Sequence, residues 1–206
     1  MPPKNKPETV VENQYIDFWQ QRYDTGEMPW DLNAPAPYLQ HIVQEARYTP
    51  GLMVTPGCGR GHDAALFARH NFNVTGVDYA PGAIAAAQAL YPAGNWLQAD
   101  WFYMESQYTQ RFDYVLEHTC FCAINPKRRA DYVETAHQLL KPNGVLMGIF
   151  WDIDDPEGPP FGVRPEALKA YFEPLFEITA LVKIPNTLRQ REGGEEFFAE
   201  MRALPV

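Results

Sequence analysis

The sequence contains no apolar stretch long enough to form a transmembrane helix, which takes about 20 predominantly apolar residues. Its N-terminus, MPPKNKPETV, also lacks the apolar core of a secretory signal peptide. We therefore expect a cytoplasmic protein with no membrane partner. Residues 1–9 offer almost nothing apolar to bury, so we expect a flexible tail ahead of one domain spanning residues 10–206.

Clustered positive charge is also missing. Lys and Arg together number 17 against 26 Asp and Glu, the net charge is −9, and the longest basic run is Lys127-Arg128-Arg129. Because binding to nucleic-acid phosphates draws on clustered basic residues, we expect a small-molecule substrate and no nucleic-acid partner. At 206 residues and 46% hydrophobic, the chain suits one packed domain, which we expect to be a monomer or a weak dimer.

Cysteine is scarce, with only Cys58, Cys120 and Cys122. The C-x-C pair has no second pair with which to complete a zinc site. We interpret all three as small buried hydrophobic residues and expect no metal.

The segment from Leu52 to Asp78, LMVTPGCGRGHDAALFARHNFNVTGVD, has the pattern of a strand, a glycine turn, a helix and a second strand. Gly57, Gly59 and Gly61 allow a sharp turn and let a ligand approach where a Cβ atom would collide, while the following helix offers unpaired N–H groups. Asp78 closes the second strand, where a carboxylate can accept both hydroxyls of a ribose. The implied ligand is a nucleoside.

The glycine spacing indicates which nucleoside. A dinucleotide fingerprint is G-x-G-x-x-G, whereas His62 occupies the sixth position here. The G-x-G-x-G form resembles motif I of the class I methyltransferases that use S-adenosylmethionine (SAM). Two alternatives of another kind stay open, a nicotinamide-dependent oxidoreductase and a non-catalytic SAM-binding domain.

The rest of the chain alternates between predicted strands and helices. Strands are predicted at Asn95–Ala99, Arg111–Leu116, Val145–Phe150, Phe176–Ile184 and Leu188–Arg191, helices at 10–23, 38–46, 82–89, 126–140 and 164–172, a turn at Lys141–Gly144, and a strand or short helix at Glu195–Met201. Such alternation predicts an α/β fold with parallel strands and right-handed crossovers, in which ligands bind at the carboxyl ends of the strands. Asp78, Asp100 and Glu117 all lie at such ends.

Several motifs, in order, resemble the thiopurine methyltransferase-like family, which includes thiopurine S-methyltransferases and the plant-type thiol and halide methyltransferases. The segments that carry the resemblance are FWQQRYDTGEMPWD, VTPGCGRGHD, VTGVDYAPGAI, LQADWF, FDYVLEHTCFCAI, KPNGVL and GPPF. The resemblance implies a single-domain Rossmann-like fold, with a seven-stranded, mostly parallel sheet, helices on both faces and an N-terminal helical lid at residues 10–48. It also implies SAM as the methyl donor and S-adenosylhomocysteine as the product.

The same resemblance assigns the cofactor site. The residues it implies there are Trp19, Tyr23 and Trp30 as pocket lining, Gly57 and Gly59 at the glycine turn, Asp78 at the ribose, Asp100 and Trp101 around the adenine, and His118 between cofactor and acceptor. Each of Trp30, Trp101 and His118 could instead be an ordinary structural residue.

Two positions depart from the family pattern. Tyr23 stands where tryptophan is common, and Glu117-His118 where Asp-Tyr is frequent, so the acceptor is not inherited from better-known members. Glu117 and His118 are the obvious proton acceptors at this strand end and are our candidate catalytic residues, while Phe161 is a candidate for the substrate pocket. We expect transfer to the sulfur of a small thiol, with halide, thiocyanate, tellurite and selenium acceptors as alternatives.

Overall fold

The computed structural model describes residues 10–104, 106–154, 157–185 and 193–205, with only the backbone of residues 10–16. Within these ranges the chain forms a seven-stranded sheet of order β3-β2-β1-β4-β5-β7-β6. The strands are β1 (Leu52–Pro56), β2 (Asn73–Asp78), β3 (Asn95–Gln98), β4 (Phe112–His118), β5 (Leu140–Ile153), β6 (Phe176–Lys183) and β7 (Gly194–Ala203). Strands β1 to β5 pair in parallel, and β7 pairs antiparallel with both β5 and β6. The predicted fold class is confirmed.

Six α-helices in the described residues connect and flank these strands. They are α1 (Val10–Thr25), α2 (Pro37–Gln44), α3 (His62–Arg69), α4 (Pro81–Leu90), α5 (Arg129–Leu139) and α6 (Pro165–Phe172). Helices α2, α4 and α6 each begin at a proline, whose fixed φ suits the first helical position and whose missing N–H is not needed there. None of the helices in the described ranges combines the length and hydropathy required to cross a bilayer.

The central strands are apolar on both faces because helices cover both sides of the sheet. In β4, Val115 belongs to the core under α5 and α6, while Leu116 belongs to the core on the α2 and α3 side. Residues Leu146 and Met147 of β5 divide in the same way. Successive side chains of a strand point to opposite faces, so the side chains of Glu117 and His118 lie on opposite faces of the sheet.

One prediction is corrected, and an alternative that the sequence left open is decided. The predicted turn at Lys141–Gly144 lies inside β5 as an irregular section, where Phe112 of β4 pairs with Leu140 but Tyr114 already pairs with Val145. The segment Glu195–Met201, predicted as strand or helix, is part of strand β7. The predicted strand at Leu188–Arg191 and the tail at residues 1–9 lie outside the described residues.

Helix α1 packs across the start of α4. The side-chain Oε1 of Gln20 accepts the backbone N–H of Gly82 at 2.8 Å. A Cβ atom on Gly82 would lie 2.6 Å from Cβ of Tyr23, so this glycine allows the close approach of the two helices. The contact places the aromatic face of α1 above the carboxyl ends of the strands.

Candidate active site

A cavity of about 530 Å³ opens at the carboxyl edge of the sheet. Strand order divides it into two halves, because the loops after β1, β2 and β3 lie on one side and those after β4 and β5 on the other. The first, which we call the β1–β3 half, is lined by residues 57–61, Asp78, Tyr79, Asp100 and Phe102. The second, the β4–β5 half, is lined by His118, residues 122–125, Trp151, Pro159 and Pro160. Helix α1 and residues 29–34 form the roof.

The glycine turn after β1 needs its glycines. Gly57 and Gly59 have φ angles of +54° and +53°, in the left-handed region that side chains disfavour. A Cβ atom on Gly57 would also lie 2.9 Å from Sγ of Cys120. Glycine at position 57 therefore allows the turn to pack closely on the loop after β4, and the role of Gly57 and Gly59 in cofactor binding stays a prediction.

Asp78 is the buried carboxylate beside this turn. Its Oδ2 accepts the N–H of Gly59 at 3.0 Å, and its Oδ1 accepts that of Ala80 at 2.9 Å. Burial raises the pKa of Asp78 to about 6, although these hydrogen bonds oppose the rise. Asp78 is thus largely ionised at neutral pH, and each oxygen keeps acceptor capacity for a ribose hydroxyl. This arrangement, in a cavity of ordinary ligand size, fits the nucleoside of SAM.

Three aromatic rings from the N-terminal segment face the cavity together. The ring centroids of Trp19 and Trp30 are 5.1 Å apart at an interplanar angle of 81°, and those of Tyr23 and Trp30 are 6.3 Å apart. Burial, followed by the charge of Asp78, raises the pKa of Tyr23, so its hydroxyl stays protonated. Aromatic faces attract a sulfonium and exclude water, and the predicted role of all three in cofactor binding stays a prediction.

A partly buried ion pair links this aromatic segment to the glycine turn. Oδ2 of Asp31 lies 2.9 Å from Nη1 of Arg60, and its Oδ1 lies 3.3 Å from Nε2 of His62. Burial would raise the pKa of Asp31, but hydrogen bonds from His62, Asn33 and Arg60 outweigh it and lower the pKa to about 2. Asp31 therefore stays charged near neutral pH and links residues 29–34 to the glycine turn.

Asp100 and Trp101 separate, although the sequence predicts a joint role at the adenine. Oδ1 of Asp100 accepts the N–H of Phe102 at 3.0 Å and starts a short 3₁₀ turn, and Asp100 lines the cavity. The turn directs Trp101 into the core, where it is 5% exposed and donates Nε1–H to the carbonyl of Tyr132 at 3.4 Å. Trp101 does not line the cavity, and Phe102 lies there instead.

His118 ends β4 on the cavity wall. Its Nδ1 lies 2.7 Å from Oδ2 of Asp63, in the first turn of α3, and Oδ1 of Asp63 accepts the N–H of Ala36 at 2.8 Å. Burial acts to raise the pKa of Asp63, but the charge and hydrogen bond of His118 outweigh it and lower the pKa. The ionised carboxylate selects the tautomer that carries its proton on Nδ1. Nε2 is then the ring nitrogen without a proton, and it is buried without a hydrogen-bond partner among the described residues.

Glu117 points to the opposite face of the sheet and does not line the cavity, which corrects its predicted catalytic role. It is 1% exposed, and its Oε1 accepts the N–H groups of Cys120 at 2.9 Å and Phe121 at 2.8 Å. Its Oε2 accepts the hydroxyl of Tyr132. Burial raises the pKa of Glu117 to about 7. Glu117 therefore shapes the loop after β4, and only His118 of the pair reaches the site.

Phe161 also lies outside the cavity lining, contrary to its predicted place in the substrate pocket. Pro159 and Pro160 line the cavity in its stead. The ring of Phe161 folds back over Gly158, where an added Cβ would lie 2.5 Å from Cδ1 of that ring. The prediction for Phe161 is wrong because the two prolines face the cavity while the ring of Phe161 packs on Gly158.

Sequence reasoning missed Asp63, which pairs with His118. The signal that could have found it was an acidic residue in the first turn of the helix after the glycine loop. Parallel topology brings that helix start to the same edge of the sheet as the end of β4. In the described part of the chain, no group of three or more His, Cys, Asp or Glu side chains is placed to hold a metal ion.

Comparisons with known proteins show the family of the chain. Residues 14–202 match the family model described as thiopurine S-methyltransferase (TPMT). Among curated relatives, thiocyanate methyltransferase 1 of Brassica oleracea is 30% identical over 92% of this chain and 85% of its own length. The probable thiol methyltransferase 2 of Arabidopsis thaliana is 29% identical over 86% and 81%, respectively.

A solved structure shares the fold. The 1,6-didemethyltoxoflavin-N1-methyltransferase of Burkholderia thailandensis, with bound 1,6-didemethyltoxoflavin and S-adenosylhomocysteine, superposes with a TM-score of 0.75 at 21% identity. The match covers 98% of this chain and 94% of that one. With the family model matching almost the whole chain, the protein belongs to the thiopurine S-methyltransferase (TPMT) family and is a SAM-dependent methyltransferase.

Proposed function

We propose that the protein transfers the methyl group of SAM to the sulfur of a small thiol, giving a methyl thioether and S-adenosylhomocysteine. In this proposal the nucleoside occupies the β1–β3 half of the cavity, with its ribose on Asp78. The acceptor occupies the β4–β5 half. The roof formed by Trp19, Tyr23 and Trp30 lies over the reacting atoms.

The observation that carries the proposal is the pair of His118 and Asp63. A thiol has an unperturbed pKa of about 8.5, so most of it arrives protonated at neutral pH and gains from a base. His118 lines the cavity, and an ionised carboxylate holds its ring in the tautomer that leaves Nε2 free to accept a proton. An acceptor without a proton, such as a halide, needs no such group.

The bound cofactor supplies a methyl group activated by a sulfonium sulfur. The acceptor sulfur forms a new bond to this carbon as its own proton passes to Nε2 of His118. The bond from this carbon to the sulfonium sulfur would break in line, and its electron pair would stay on the sulfur of S-adenosylhomocysteine. Asp63 stabilises the imidazolium, which later returns its proton to water. Trp19, Trp30 and Tyr23 exclude water and keep the reacting groups aligned.

The relatives support a soft sulfur acceptor. One is named for thiocyanate and the other for a thiol, and both acceptors contain sulfur. Family membership disfavours the nicotinamide-dependent oxidoreductase. A non-catalytic SAM-binding protein would bind S-adenosylhomocysteine without methylating any thiol, halide, thiocyanate or tellurite.

The test compares His118→Gln with the unaltered protein, because glutamine keeps a donor for Asp63 but cannot take a proton at neutral pH. We expect kcat/KM for 2-mercaptoethanol to fall by up to about 10²-fold below the pKa of the thiol, the low end of general-base effects. The same parameter for iodide should change far less. His41→Gln is the matched control, since His41 is exposed on α2, pairs there with Glu45 and lies outside the cavity lining.

Equal losses for thiol and iodide would refute the base and leave His118 as a residue that shapes the pocket. Asp63→Asn supplies a second arm. Because residues that act as a unit are not additive, the double variant should lose no more thiol activity than His118→Gln alone. Additive losses would mean that Asp63 does not work through His118.

A further inference from the structure

We infer that Arg129 is a positioning residue that holds the segment Gly158–Phe161 against the β4–β5 half of the cavity and so sets the affinity for the methyl acceptor. The inference rests on the proposed function for naming that half as the acceptor side. The contacts themselves do not depend on which acceptor is methylated.

Arg129 is unusually buried for a cation. It begins α5, is 5% exposed, and carries its guanidinium 4.8 Å above the ring of Phe121. Arginine is almost never this buried unless it is paired. Its Nη2 donates to the carbonyl oxygen of Phe161 at 2.6 Å, so the charge is directed at the backbone of the segment that lines the cavity.

The same residue of the segment is held from a second side. The N–H of Phe161 donates to the carbonyl of Cys122 at 2.7 Å, in the loop after β4. Both backbone groups of Phe161 are therefore fixed, one by α5 and one by the loop that also lines the β4–β5 half. Pro159 and Pro160 precede this anchor, and each lacks an N–H with which to hold itself in place.

The geometry calls for arginine. A guanidinium is planar, so it can stack on the ring of Phe121 while its edge donates to the carbonyl of Phe161. Lysine has a compact ammonium on a flexible stem and cannot make both contacts at once. Arg129→Lys should therefore release the segment while it keeps the positive charge.

The first experiment measures Arg129→Lys with whichever acceptor the unaltered protein methylates, whether thiol, thiocyanate or iodide. We expect KM for the acceptor to rise about tenfold, as for a lost hydrogen bond to a charged group. The dissociation constant of S-adenosylhomocysteine should change by less than about twofold. Arg111→Lys is the matched control, because Arg111 is exposed ahead of β4. An unchanged KM in folded Arg129→Lys overturns the inference, as does an equal weakening of cofactor and acceptor.

A second variant disturbs the segment without altering Arg129. In Gly158→Ala the new Cβ would lie 2.5 Å from the ring of Phe161, and we expect the same rise in KM with unchanged cofactor binding. Hydrogen exchange gives a readout that needs no turnover, since the amide of Phe161 should exchange faster in Arg129→Lys. Unchanged exchange overturns the inference. If His118→Gln lost thiol and iodide activity equally while the KM and hydrogen-exchange results held, only the proposed function would be refuted.

Discussion

Asp78→Asn should weaken cofactor binding strongly while it changes the stability of the protein little. If Asp78 holds the ribose hydroxyls, replacing its charge removes interactions worth about 1.5–3 kcal/mol, the range for hydrogen bonds to a charged group. The dissociation constant of S-adenosylhomocysteine should then rise roughly 10- to 150-fold at pH 8.

Stability at pH 8 should change little, because two effects of similar size oppose each other. The pKa of Asp78 rises from 3.8 to about 6 in the fold. Ionised Asp78 therefore destabilises the native state by about 3 kcal/mol, which the amide avoids. Asparagine, however, can accept from only one of Gly59 and Ala80, and an unpaired buried N–H costs about 1–3 kcal/mol. The net change should lie within about 2 kcal/mol.

The assay is calorimetric titration with S-adenosylhomocysteine at pH 5 and pH 8, beside urea unfolding at pH 8. Protonation of Asp78 should weaken binding to the unaltered protein as the pH falls through about 6, so its advantage over Asp78→Asn should shrink at pH 5. Asp113→Asn is a control carboxylate on β4, away from the cavity lining. Folded Asp78→Asn with unchanged affinity at pH 8 would refute the assignment of Asp78 to the ribose.

Two further predictions concern Glu117 and the roof. The folded pKa of Glu117 is raised from 4.5 to about 7, so its contribution to stability is fully present below pH 4.5 and is lost as the pH rises through 7. In Glu117→Gln, the fall in the free energy of unfolding with rising pH, measured by urea unfolding, should be smaller by about 3 kcal/mol. An unchanged dependence on pH would contradict the titration of a buried Glu117. Residues 17–35 should gain protection from hydrogen exchange when S-adenosylhomocysteine binds; equal protection with and without it would make this segment fixed core.

Local patterns predicted the alternation of strands and helices, while the seven-stranded sheet was implied by the family resemblance. Alternating strands and helices, prolines at helix starts and the glycine turn depend on residues close together in sequence, and the structure keeps them within a few positions. The irregular section of β5 at Lys141–Gly144 was missed because pairing with β4, a distant partner, extends the strand across a segment that looks like a turn by itself. Pairing with β4 therefore decided the structure of a segment whose own residues predict a turn.

The site divides in the same way. Gly57 and Asp78 could be placed from sequence because a turn and a strand end fix where they emerge, whereas the N-terminal aromatic residues were placed by the family resemblance. The separation of Glu117 from His118 followed the alternation of β4, but which face held the cavity depended on α3 and α5. Asp63 is far from His118 along the chain, and only parallel packing brings its carboxylate within 2.7 Å of that ring. Sequence alone determined the cofactor class and the edge of the sheet that binds it, whereas the tertiary structure decided which side chain can take a proton there, because that depends on a partner contributed by another element.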